Sequence, residues 1–129
     1  MKLLLDTQLL LWAATAPKRL SAAASSLIED DDNLLIFSVV SIWETTIKAN
    51  LGRADFTVNP RRLRPALLEA GYQELEVTSV HALAVGDLPL VHRDPFDRLL
   101  LAQAISEGLE FATADNAFAR YPIPAVRLV

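Results

Sequence analysis

The chain has 129 residues, 52% of them hydrophobic and 22% charged, with a formal charge of −4 and no cysteine. This length suits one domain, 1–129, around a single core, and the composition excludes disorder while leaving enough apolar surplus to expect oligomerisation. Without cysteine there are no disulfides, no thiolate catalysis and no cysteine-bound zinc, which points to the cytoplasm; the acidic balance excludes gripping a polyanion by overall charge, so a cation must mediate any such contact.

Residues 1–12 are apolar but carry Asp6 and lack a small-residue cleavage site, so they do not read as an export signal. No uninterrupted apolar run reaches about 18 residues, and no membrane span is expected. Residues 2–5 are short and apolar, as a parallel strand buried on both faces should be. After the turn at Asp6-Thr7, Leu9, Leu10 and Trp12 belong to a short helix, and residues 21–30 form a second, capped by Ser21. A polar turn leads to a strand at 34–37 and a helix at 38–51 that Gly52 stops.

Residues 53–60 are a loop and 61–70 a helix closed by Gly71. Arg61, Arg62 and Arg64 gather there, on a face read as solvated. A short strand is predicted at 75–77, a helix at 79–85 and a loop at 87–92. The helix 95–107 has the firmest bounds, because Asp94 caps it, Pro95 takes its first position and Gly108 stops it; its apolar residues Phe96, Leu99, Leu100, Leu101 and Ile105 read as buried on all sides. Strands at 109–112 and 125–129 enclose a short helix at 116–120. Strands alternating with helices predict an α/β fold, a three-layer α/β/α sandwich with a central, mostly parallel sheet, whose chemistry gathers at the carboxyl ends of the strands.

Four acids fall near those ends, and each has a structural reading. Asp6 either ligates or caps the helix that starts at Thr7. Ser41-Ile42-Trp43-Glu44 matches a capping box, and Glu44 pairs with Lys48 four residues on, so locally the structural role is favoured. Asp97 is third in its helix, where an acid suits the dipole, but two acids and an arginine in one turn exceed what so apolar a helix needs. Asp115 locally reads as a cap. As a set they read differently: hard ions such as Mg²⁺ or Mn²⁺ take oxygen ligands, and carboxylates that repel one another when empty bind such an ion, which activates water and neutralises phosphate charge.

Leu4-Leu5-Asp6-Thr7, Ser41-Ile42-Trp43-Glu44, the run from His92 to Ala104 that contains Asp94-Pro95-Phe96-Asp97-Arg98, and Thr113-Ala114-Asp115-Asn116-Ala117-Phe118 together resemble the PIN-domain ribonucleases, specifically the VapC-type toxins of toxin–antitoxin pairs. The resemblance runs in order over nearly the whole chain, and its third segment is the most specific. It implies that Asp6, Glu44, Asp97 and Asp115 bind Mg²⁺ or Mn²⁺, with Thr7 and Thr113 as polar helpers. It further implies an RNA endonuclease, commonly a homodimer, silenced by a cognate antitoxin whose tail covers the acidic cleft. Gln8 stands where many relatives have histidine.

Asp94 reads as a cap that can also support the acids, and Arg98 as a partner that holds Asp97 or a phosphate. His92 reads as a structural or solvent-facing loop residue with phosphate contact or proton transfer as the alternative, His81 as packed within its helix, and Trp12 and Trp43 as core or subunit interface with stacking on a base as the alternative. Two other function classes compete. An aspartyl-phosphate at Asp6 is disfavoured because Gln8, not an acid, lies two residues on. A binding module whose acids are all caps is the other.

Overall fold

The computed structural model describes residues 1–91 and 93–129. Within them β1 (Lys2–Leu5), α1 (Thr7–Thr15), α2 (Ala22–Glu29), β2 (Leu34–Ser38), α3 (Val39–Asn50), α4 (Pro60–Glu69), β3 (Gln73–Leu75), α5 (Ser79–Ala84), α6 (Pro95–Glu107), β4 (Glu110–Thr113) and β5 (Val126–Leu128) follow one another, with 3-10 turns at Pro17–Arg19, Val85–Asp87 and Asn116–Arg120. The sheet order is β3-β2-β1-β4-β5 and every neighbouring pair is parallel.

The central place of β1 follows from its residues. Leu3, Leu4 and Leu5 are fully buried, and their alternation sends Leu3 and Leu5 into one core and Leu4 into the other. The Leu3 side packs Leu9 and Leu10 of α1, Ala24 of α2, and Leu63 and Leu67 of α4. The Leu4 side packs Leu100, Leu101 and Ala104 of α6 with Phe111 and Phe118. Helices thus cover both faces, giving the three layers expected of a parallel sheet. No helix among the described residues is long and apolar enough to cross a membrane.

Several local expectations need correction. The cap of α3 is Ser38, whose hydroxyl accepts from the Val40 amide at 3.0 Å, so the helix starts before Ser41 and no capping box forms there. β3 lies two residues before the predicted 75–77, held by its pairing with β2. Helix α6 has the bounds read from its Asp94 cap and Gly108 stop, the glycine adopting φ 67°, but it is not buried all round: Ile105 faces solvent and the buried run is Leu100–Ala104. Trp43 is 55% exposed, which removes it from the core; its ring meets Phe96 edge to face at 4.9 Å.

Candidate active site

Asp6 follows β1 directly, and the abrupt passage from strand to helix gives its carboxylate two duties at once. One oxygen accepts from the Leu9 amide at 2.7 Å, capping α1, and the other accepts from the Thr113 hydroxyl at the end of β4. Thr113 Oγ1 in turn accepts from the Asp115 amide at 3.0 Å, so the ends of two adjacent strands are tied together. Asp115 caps the 3-10 turn by accepting from Ala117 at 2.9 Å. Asp94 caps α6, accepting from the amides of Phe96 at 2.8 Å and Asp97 at 3.3 Å. The capping readings of Asp6, Asp94 and Asp115 are therefore correct as far as they go.

These caps nevertheless face one space. A cavity of about 370 Å³ is lined by Asp6, Thr7, Glu44, Asp94, Asp97 and Asp115, with Gln8, Trp12 and Lys48 at its side. Glu44 sits well inside α3, where it caps nothing. It is only 7% exposed; its Oε2 meets Lys48 Nζ at 2.9 Å, and its Oε1 is buried without a hydrogen-bond partner. Leaving a buried carboxylate oxygen unpartnered costs free energy, and such atoms mark places where another group is needed. Thr7 is fixed by a 2.9 Å hydrogen bond between its hydroxyl and that of Ser41.

Asp6 feels the crowding. Burial raises its carboxyl from the ordinary 3.8 to about 6, and the charges of Asp115 and Glu44 push the same way, against the bonds from Thr113 and Leu9. A proton or a cation is the natural relief. Among the described residues, no three or more His, Asp and Glu side chains are grouped closely enough to hold an ion as they stand. The acids of the cavity offer carboxylate oxygen, one atom of it orphaned, which fits a hard divalent ion in kind.

Of the supporting residues, Thr7 and Asp94 line the cavity, whereas Thr113 acts beneath it through Asp6. Arg98 is not among the lining side chains; its guanidinium donates to the carbonyls of Pro89 at 2.9 Å and Val85 at 3.1 Å. His81 is buried as read, within a capping box with Thr78, and His92 lies outside the described residues. Sequence reasoning missed Ser41 as the partner of Thr7, and although it singled out Gln8, Trp12 and Lys48 one by one, it did not join them into one wall of the site. The signal for that wall was present: Gln8 and Trp12 stand four apart on α1, and Glu44 and Lys48 four apart on α3, so each pair shares a helix face.

The PIN-domain family model matches residues 3–124. A protein of Mycobacterium tuberculosis named ribonuclease VapC22 is 32% identical over 123 residues, 94% of either chain. Among solved structures, that of VapBC2 from Rickettsia felis, bound to a DNA fragment from its promoter, covers 100% of this chain and 98% of its own at TM-score 0.70 and 17% identity. A toxin–antitoxin complex from Klebsiella pneumoniae covers 96% of this chain and 94% of its own at TM-score 0.63 and 22% identity. At these identities the solved structures speak for the fold alone.

Proposed function

The chain belongs to the PIN-domain family, with a VapC ribonuclease among its relatives, and from that premise we propose that it is a divalent-metal-dependent endoribonuclease, the toxin of a toxin–antitoxin pair. One observation carries the chemical part of this reading: Glu44, a buried carboxylate that caps no helix and has one oxygen unpartnered, faces the same cavity as Asp6, Asp97 and Asp115. A module whose acids were only caps would have no use for it.

Asp6, Glu44, Asp97 and Asp115 would hold Mg²⁺ or Mn²⁺, which supplies, when bound, activation of water and neutralisation of the phosphate's charge. The chain's own residues do the rest. Thr113 and the Leu9 amide orient the two oxygens of Asp6, the Asp94 cap sets the first turn of α6 and with it Asp97, and Lys48 steadies Glu44 at 2.9 Å. Such outer contacts fix ligand orientation before the substrate arrives.

The partners are RNA as substrate, a cognate antitoxin that closes the cavity, and a second copy of the chain, in the cytoplasm. Pairing of copies is supported by large apolar side chains left in water, among them Leu90 at 94%, Leu83 at 78% and Val80 at 65% exposure. The test is cleavage of single-stranded RNA with Mg²⁺ or Mn²⁺. Loss of an outer-shell contact costs roughly 10–100-fold, so Asp6→Asn and Asp97→Asn, which remove ligands, should each lose about a hundredfold or more while their circular dichroism stays native. Full activity in either variant refutes the reading.

A further inference from the structure

A second cavity, of about 350 Å³, lies beside the acidic one, and Gln8 and Trp12 of α1 with Lys48 of α3 line both, so the two share a wall. Its charge is opposite in sense. Arg19 and Arg53 line it against a single carboxylate, Asp55, with Lys48 at its edge engaged by Glu44 at 2.9 Å, in a chain whose formal charge is −4. Among the described residues Arg19 has no ion pair, and the Arg53–Asp55 contact of 3.3 Å joins two largely exposed groups, a pairing too weak to withhold Arg53 from an anion.

The shared wall carries groups that lack protein partners. Trp12 Nε1 is buried without an acceptor, and the exposed Gln8 amide makes no hydrogen bond among the described residues. Phe56 adds a second aromatic ring to the lining. Cations for phosphate, aromatic faces for bases and an amide able both to donate and to accept are the chemistry by which proteins hold single-stranded RNA. The volume lies in the range of small-ligand sites, roughly 300–1,000 Å³. An acidic peptide would satisfy the arginines, but it would leave the rings and the amide unexplained. Nor would it explain why this cavity adjoins the carboxylates, where a polyanion with its scissile phosphate over them must continue.

We propose that this second cavity binds the nucleotide adjoining the scissile phosphate: Arg19 and Arg53 hold its phosphate, and Gln8 and Trp12 meet its base. The assignment rests on the ribonuclease reading, and it makes these residues determinants of affinity and cleavage preference.

Two measurements on the full chain test it. In cleavage of a mixed-sequence RNA pool, Arg19→Ala with Arg53→Ala should raise KM about tenfold or more and leave kcat within a few-fold. Gln8→Ala and Trp12→Ala should alter the bases found beside the cut. The control Arg61→Ala with Arg62→Ala, which removes equal charge elsewhere, should do neither. In the Trp43→Phe variant Trp12 is the remaining tryptophan, and a short oligoribonucleotide mixed with it in Mg²⁺ should quench its emission before the strand is cut. Quenching without cleavage would support the cavity and count against the nuclease. Cleavage with no quenching and an unchanged KM in the arginine variant overturns the cavity and spares the nuclease. Effects confined to binding of a partner protein also overturn it.

Discussion

Burial holds the Asp6 carboxyl near 6, above its ordinary 3.8, because the folded chain disfavours the charged form. The sign follows from proton binding. Between about pH 4 and pH 6 the folded chain keeps a proton that the unfolded chain has lost, so the stability due to neutral Asp6 is complete below the lower value and disappears as pH rises through the upper one. Without divalent ions, stability should fall across that window by about 3 kcal/mol at most. Denaturant titrations at a series of pH values check this, and Asp6→Asn should flatten the profile while its amide oxygen still caps α1. Metal binding should show the opposite trend and weaken as pH falls below about 6, since the proton competes for the same oxygens. At this scale the sequence showed that Asp6, Asp94 and Asp115 cap helices, and only the four acids taken as a set suggested a further role. Glu44 misled because Ser38 and Ser41 both stand near the start of α3, and only the direct passage from β2 into the helix selects Ser38 as the cap.

The elements around the site are braced by a buried polar network that no periodicity announced. Gln103, fully buried on α6, accepts from Ser38 at 2.5 Å and donates to the Glu76 carbonyl at 3.2 Å, while His81 on α5 meets Glu107 at 2.7 Å. Ser38 begins α3, so this network ties the helix carrying Glu44 to the helix carrying Asp97. Gln103→Ala should therefore destabilise the fold by roughly 2–4 kcal/mol, through orphaned partners and a cavity, read as a lower urea midpoint. The bounds of α6 were legible because Asp94, Pro95 and Gly108 each act locally. Its polar anchor was not, because one glutamine in an apolar stretch looks the same whether it meets water or Ser38. β3 was misplaced for a related reason: its position is set by pairing with β2, which lies outside its own sequence.

For the whole molecule, the alternation of elements and a β1 apolar but for Lys2 sufficed to predict a parallel sheet covered on both faces, while the short edge strand β3, only partly buried, was the least determined. What the chain leaves exposed is informative at this scale as well. If Val80, Leu83 and Leu90 meet a second copy, Leu83→Lys should lower the mass measured by sedimentation equilibrium towards that of one chain, with the melting profile of the monomer retained.

The central claim is that four carboxylates contributed by distant parts of the chain share a hard cation. Calorimetric titration of Mn²⁺ into the folded chain at neutral pH tests it most directly. A saturable heat is predicted in the wild type, with affinity well above that of isolated carboxylates, reduced in Glu44→Gln and lost in Asp6→Asn and Asp97→Asn. Heats in the wild type no larger than those of these variants would contradict the claim.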